Sequence, residues 1–68
     1  MTAARLSDSA RAVIAWVRRR GPVTSDQIWD EFVRRGYYPE TIDSAQGEAL
    51  AAGAIVQDGD ELRPGPAR

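Results

Sequence analysis

The sequence predicts a mainly α-helical domain with a small β-hairpin near its C-terminal end. Three stretches have the apolar spacing of amphipathic helices, and a glycine follows each of them. Two short strand-forming runs then flank Asp58-Gly59, a dipeptide that favours tight turns between antiparallel strands. We place the folded domain at residues 7–63, with flexible ends at residues 1–6 and 64–68.

The first helix is expected near residues 8–20. Ser7 or Asp8 can cap its N-terminus, and Asp8 suits the positive end of the helix dipole. Apolar residues recur at the spacing of one buried helix face, namely Leu6, Ala10, Val13, Ile14 and Val17. Gly21-Pro22 ends the helix, because glycine adopts the left-handed closing conformation and proline cannot continue the helix.

The second helix is expected near residues 25–35, after a short extended segment at Val23. Thr24 and Gln27 have the spacing of a capping box, in which each side chain accepts a hydrogen bond from the other residue's backbone N–H. A broad apolar arc follows and comprises Ile28, Trp29, Phe32 and Val33. Gly36 ends this helix.

The third helix is expected near residues 41–52, beginning at Glu40 or Thr41. The Tyr-Tyr-Pro sequence at residues 37–39 forms a turn before it, because proline disfavours helical geometry in the preceding residue. The apolar residues of this helix are mostly small, namely Ile42, Ala45, Ala49, Leu50 and Ala52. Gly47 lies within the helix at a cost of about 1 kcal/mol relative to alanine, and Gly53 ends it.

The hairpin is expected to have strands near residues 54–57 and 60–63. A two-residue turn at Asp58-Gly59 would place Ile55 opposite Leu62, so that both side chains reach the core. The predicted core comprises Leu6, Val13, Ile14, Val17, Ile28, Phe32, Ile42, Ala45, Leu50, Ile55 and Leu62.

Composition excludes several classes of chemistry. The chain has no Cys and no His, which rules out disulfides, thiolate chemistry, the usual zinc sites and histidine-based acid–base catalysis. No apolar run approaches the roughly 18 residues of a membrane span, and no signal-like segment begins the chain. We therefore expect a cytoplasmic protein that is not an enzyme and has no metal, cofactor, small-molecule ligand or membrane partner. All nine cationic residues are Arg, which is typical of a GC-rich genome.

Charge is distributed unevenly along the chain. Residues 1–36 carry seven arginines against four acids, a net charge of +3, and residues 37–68 carry two arginines against six acids, a net charge of −4. An asymmetry of this kind is typical of a polarised surface.

The order of elements resembles that of winged helix-turn-helix domains. The segment "GPVTSDQIWDEFVRRG" resembles the family's second helix entered through a short strand, and "TIDSAQGEALAAGAIVQDGDELRPG" is similar to its third helix, closing glycine and two-stranded wing. The resemblance covers residues 7–63. The "GPVT" motif also resembles, more weakly, short winged-helix proteins of actinobacteria and their phages. The resemblance to winged helix-turn-helix domains implies a fold of three helices plus a wing.

The resemblance implies a small protein that binds double-stranded DNA, as a transcription regulator or an accessory factor in DNA transactions. In this family the third helix enters the major groove and the wing touches the backbone or minor groove. The groove-facing residues would then be Thr41, Asp43, Ser44, Gln46, Gly47 and Glu48. The expected DNA contacts are Arg18, Arg19, Arg20, Arg34, Arg35, Tyr37, Tyr38, Thr41, Ser44 and Gln46. Arginines at helix ends also complement the helix dipole without any ligand.

The acidic residues of the third helix and wing favour a second interpretation. Neither Arg nor Lys lies in residues 40–52, and carboxylates repel phosphate. A protein-interaction winged helix would use this surface to bind a partner protein or a second copy in a weak homodimer. Its expected interface residues are Trp16, Trp29, Asp43, Glu48, Asp58, Asp60 and Glu61.

Overall fold

Three helices and a three-stranded antiparallel sheet make up residues 6–66, the part of the chain that the computed structural model describes. The helices are α1 (Asp8–Arg20), α2 (Ser25–Arg34) and α3 (Pro39–Ala51). The strands are β1 (Val23–Thr24), β2 (Ile55–Asp58) and β3 (Glu61–Pro64), and β3 lies between the other two. The predicted class, mainly helical with a small hairpin, is confirmed.

The predicted caps of the first two helices form. The Ser7 hydroxyl accepts a hydrogen bond from the Ala10 N–H at 3.1 Å. In the capping box, the Thr24 hydroxyl accepts from the Gln27 N–H at 3.1 Å, and the Gln27 side-chain oxygen accepts from the Thr24 N–H at 2.8 Å. Gly21 ends α1 with a φ of 82°, which a residue with a Cβ adopts only under strain.

Helix α3 begins two residues before the predicted residue 41. Pro39 is its first residue, and Tyr38 precedes it in an extended conformation with φ −78° and ψ 152°. Proline suits the first helical position because its φ is already helical and its missing N–H would have had no partner there. The proline that was expected to hold the turn therefore starts the helix, which brings Glu40 into the first turn of α3.

The predicted hairpin register was wrong by two residues. Asp58 pairs with Glu61 and Gln57 with Leu62, so the loop is Gly59-Asp60 and not Asp58-Gly59. Gly59 has a φ of 63° and no non-glycine residue among those described has a positive φ, the pattern of a type II′ turn. Since side chains alternate with a period of two, the shift leaves Ile55 on the same face as Leu62, and both are buried.

Strand β1 adds a third strand to the hairpin. Val23 pairs with Leu62 and Thr24 pairs with Glu61. Because Thr24 also caps α2, this pairing fixes the start of α2 beside the hairpin loop. The hairpin is thereby anchored to the helices along one edge.

The core lies between the three helices and the inner face of the sheet. Nine of the eleven predicted core residues are buried, but Leu6 and Leu50 are only half-buried at its margin. Leu50 falls to the side of α3 because Ala49 occupies the central position. The core residues that the predicted set lacked are mostly small, namely Ala10, Trp16, Val23, Ala49 and Ala54.

The ordered chain continues past the predicted domain boundary at residue 63. Strand β3 includes Pro64, and the Gly65 N–H donates to the Ala54 carbonyl at 2.8 Å. A Cβ on Gly65 would overlap the Gly53 carbonyl oxygen, so only glycine fits this crossing of two backbone segments. Residues 1–5 and 67–68 of the predicted flexible ends lie outside the described residues.

Candidate interaction surfaces

Helix α3 turns a small, acidic face outward. Its buried residues are Ile42, Ala45 and Ala49. The exposed residues follow the i, i+3, i+4, i+7 spacing of the opposite face and are Glu40, Asp43, Ser44, Gly47 and Ala51. A ligand that approaches α3 from outside therefore meets two carboxylates, one hydroxyl and no cationic side chain.

Three residues predicted to face a DNA groove do not lie on this outward face. Gln46 is half-buried against the start of α2, where its side-chain amide donates to the Ser25 hydroxyl at 3.2 Å. Glu48 is half-buried and accepts hydrogen bonds from the Ser7 N–H and hydroxyl, both at 3.0 Å. Thr41 is half-buried. Because α3 packs through Ile42, Ala45 and Ala49, these three residues lie on the sides of the helix and not on its outward face.

The start of α2 joins α3 to the hairpin loop. Ser25 contacts Gln46 on α3, and the next residue, Asp26, lines one depression together with Asp60 of the hairpin loop. Asp43 lies three residues before Gln46, on the adjacent part of the α3 surface. One continuous surface therefore carries four exposed carboxylates, and we call it the acidic surface: Asp26, Glu40, Asp43 and Asp60.

The arginine of the hairpin is held in ion pairs. The Arg63 guanidinium lies 3.2 Å from the Asp58 carboxylate and 3.3 Å from the Glu61 carboxylate. By contrast, the structure gives the four carboxylates of the acidic surface no cationic partner within residues 6–66. Arg63 is thus shared between two acids, and the hairpin keeps a net negative charge.

Two of the predicted arginines line a cleft between α1 and α2, and the others lie near the C-terminal ends of the same two helices. Arg20 and Arg34 both line this cleft, beside Asp30 and Glu31. The Arg20 guanidinium also lies over the Trp16 ring, 5.5 Å from its centroid, in a cation–π contact. We call Arg18, Arg19, Arg20 and Arg34 the basic surface; all four are exposed.

Two of the predicted DNA contacts are occupied by interactions within the chain. The Arg35 guanidinium pairs with Glu31 at 2.8 Å and lies 4.5 Å from the centroid of the Phe32 ring. Tyr37 is half-buried, and its ring packs edge-on against Phe32 with centroids 5.2 Å apart. Tyr38, in contrast, is 75% exposed.

The two tryptophans have different environments. Trp16, predicted as an interface residue, is buried and packs edge-on against Phe32 at 6.0 Å between centroids, so it belongs to the core of the domain. Trp29 is 40% exposed, beside Val33 at 45% one turn further along α2. Trp29 also lies three residues after Asp26, which places an exposed aromatic ring next to the acidic surface.

Sequence reasoning missed Asp26 and Glu40 as members of the acidic surface. Glu40 was placed at the edge of the third helix because Pro39 was assigned to the preceding turn. The preference of proline for the first helical position is the signal that would have placed Glu40 inside the helix. To place Asp26 on this surface, one must know that β1 pairs with β3. A two-residue extended segment gives no sequence signal for that pairing.

Comparison of the chain with protein-family models, curated proteins and solved structures yields no match. Within residues 6–66, no three carboxylates lie close enough together to hold a metal ion. None of the helices in the same range has the length and apolar character that crossing a membrane requires.

Proposed function

We propose that this chain is a winged-helix interaction module whose acidic surface binds a basic surface of another protein. The observation that carries the proposal is the outward face of α3, where Glu40 and Asp43 are exposed and form no ion pair within residues 6–66. In a DNA-binding winged helix this face would enter the major groove. Here it suits a cationic partner instead.

The arrangement of elements supports the winged-helix part of the proposal. Three helices come first, a two-residue strand lies between α1 and α2, and a hairpin that pairs with that strand follows α3. The hairpin stands beside the start of α2, and α3 contacts α2 through Gln46 and Ser25. In this layout α3 and the hairpin loop form one exposed surface.

Charge argues against a duplex on that surface. A carboxylate about 4 Å from a phosphate costs about 1 kcal/mol even in a water-like dielectric, and four carboxylates share the acidic surface. Binding to DNA depends on cations that neutralise phosphates and release counterions. Arg63 is unsuited to this role, since it is already paired with Asp58 and Glu61.

The proposal is tested by titrating the protein with a fluorescently labelled, arginine-rich helical peptide. We expect binding that weakens with added salt, because the contacts are ionic. The E40Q/D43N variant should bind about tenfold more weakly, a loss of about 1.4 kcal/mol.

A matched pair of single variants separates local from net charge. D43N and D30N each remove one exposed carboxylate, but only Asp43 lies on the acidic surface; Asp30 lines the cleft between α1 and α2. D43N should weaken peptide binding and D30N should leave it unchanged. Equal losses in the two variants would show that net charge alone attracts the peptide, and the proposal would fail.

DNA binding through the basic surface is a second candidate. The observations that favour it are that Arg20 and Arg34 line one cleft and that Arg18 and Arg19, which precede Arg20 at the end of α1, are exposed as well. Together with Arg35 they outnumber Asp30 and Glu31 by five charges to two, a net charge of +3. A duplex held there would leave α3 and the hairpin clear of the backbone.

Duplex titration over a range of salt concentrations tests this candidate. R19E/R34E should abolish binding or flatten its salt slope by roughly one unit for each phosphate that the protein no longer neutralises. D58N/D60N should leave binding unchanged or tighten it, because the change removes repulsion and releases Arg63 from Asp58. If the arginines were dispensable for duplex binding, this candidate would be excluded.

A further inference from the structure

We propose that the basic partner of the acidic surface is the basic surface of a second copy of this chain, so that copies associate head to tail. This inference rests on the proposed function and names its partner. It follows from the presence of two surfaces of opposite charge on one small domain.

The two surfaces have opposite charges. The acidic surface carries Asp26, Glu40, Asp43 and Asp60. The basic surface carries four exposed arginines, and Asp30, Glu31 and Arg35 lie near it. Because the whole chain has a formal net charge of only −1, two copies do not repel each other as charged bodies. Complementary patches therefore steer them into contact.

Trp29 gives the acidic surface an apolar anchor. Its ring is 40% exposed, next to Val33 on the same helix face, and partly exposed tryptophan is the residue type most enriched at the energetic centres of interfaces. An arginine of a second copy can place its guanidinium over this ring while it pairs with Asp26 or Asp43. The same pairing of residue types already exists within the chain, between Arg20 and Trp16.

The two surfaces point in different directions around α2. Ser25 contacts α3 on one side of this helix, whereas Gln27 lines the cleft toward α1. Two residues along an α-helix correspond to about 200° of rotation. A contact between unlike surfaces is heterologous, so each bound copy keeps one surface of each kind open and the assembly can extend.

Sedimentation of neutralised variants tests this arrangement. R19Q/R34Q impairs the basic surface, and E40Q/D43N impairs the acidic surface; all four positions are exposed, so both variants should keep the fold. At low salt and about 1 mM protein, a concentration suited to weak association, wild type should associate and each variant alone should be monomeric. An equimolar mixture should form a heterodimer, because one intact surface of each kind remains, and it should not grow further.

The outcomes are distinct. A wild type that stays monomeric at low salt, or a mixture that stays monomeric, would overturn the head-to-tail contact. Variants that associate as strongly as wild type would also overturn it, in favour of an isologous contact through other residues. W29A should weaken association of wild type by about tenfold or more, whereas W29F, which keeps an aromatic face, should weaken it less; equal association of W29A and wild type would remove Trp29 from the contact.

The peptide titration separates this inference from the proposed function. If the acidic surface binds the arginine-rich peptide and the copies do not associate, only the identity of the partner is wrong. If neither binding occurs, the proposed function fails as well. Both measurements use the same E40Q/D43N variant, so they compare directly.

Discussion

Large aromatic side chains pack between α1 and α2, whereas α3 and the hairpin contribute no aromatic residue to the core and pack through alanines beside Ile42, Ile55 and Leu62. Phe32 on α2 contacts Trp16 and Tyr37 edge-on, and aromatic pairs of this kind add stability beyond the area that they bury. On the other side, Ala45, Ala49 and Ala54 bring backbones close together and bury little surface. The aromatic cluster and the acidic surface therefore lie in different parts of the domain.

This difference separates the residues that hold the fold from those that offer contacts. The small side chains of α3 allow it to lie close to α1, and they leave its outward face with Ser44, Gly47 and two carboxylates. Few of these outward residues have a packing role. Substitutions on that face should therefore change binding more than stability, and substitutions around Phe32 should do the reverse.

The largest expected loss of stability is from F32A, which removes the central ring of the aromatic cluster. Phe32 is fully buried, and truncating a core phenylalanine typically costs about 3–5 kcal/mol. A domain of this size buries only about 60% of its unfolded surface and has little stability to lose. We expect F32A to be largely unfolded, as measured by circular dichroism and urea titration. V33A changes the next, exposed residue and should unfold close to wild type; equal effects would show that the aromatic cluster does not hold the domain.

G65A tests whether the close backbone crossing anchors the hairpin. An added Cβ would overlap the Gly53 carbonyl oxygen, and overpacking of this kind typically costs about 1–3 kcal/mol. G47A is the matched control, because a Cβ on Gly47 meets no atom within 4 Å and alanine is favoured over glycine in a helix by about 1 kcal/mol. Urea titration should show a loss for G65A and a gain for G47A; stabilisation by both would place Gly65 outside the packed structure.

The hydrogen bonds between Ser7 and Glu48, which join α1 to α3, should have a smaller effect on stability than the core substitutions. Ser7 caps α1 and also donates to Glu48 on α3. S7A should cost about 1 kcal/mol. E48A should cost a similar amount, because it removes the acceptor of both Ser7 hydrogen bonds. In urea titrations the double variant should lose less than the two single losses combined; full additivity would show that the two residues do not stabilise each other.

The smallest expected effect is from R63A. Arg63 pairs with Asp58 and Glu61 in exposed positions, and such pairs typically contribute less than about 1 kcal/mol. The melting temperature should move by only a few degrees, and less at high salt. A large destabilisation would give the hairpin ion pairs a structural role that their exposure does not explain.

Local signals predicted most of the fold, and contacts distant in sequence account for what they missed. The caps at Ser7 and Thr24 and the closing Gly21 depend on residues that are close together in the sequence, and they were predicted correctly. The hairpin register was not, because both Asp58-Gly59 and Gly59-Asp60 contain a glycine at a turn position and tertiary packing decides between them. Only the pairing of β3 with β1 brings Asp60 beside Asp26.

The predicted site residues are exposed in part, and several of them have contacts within the domain that the sequence did not predict. The acidic character of the third helix is visible in composition, and Asp43, Ser44 and Asp60 are exposed as expected. The positions of Gln46 and Glu48 depended on which face of α3 packs inward. A helix whose apolar residues are mostly alanine leaves that rotation poorly defined, since alanine is tolerated on either face.

Amide chemical-shift mapping tests the central claim, that α3 and the hairpin loop form a surface for cationic partners, most directly. A ¹⁵N-labelled sample is titrated in parallel with the arginine-rich peptide and with a duplex at the same low salt concentration. We expect the peptide to shift the amides of Asp26, Asp43, Ser44 and Asp60, while the duplex leaves these amides in place. Duplex-induced shifts at the same amides, with little change from the peptide, would contradict the account and make α3 a DNA-recognition helix.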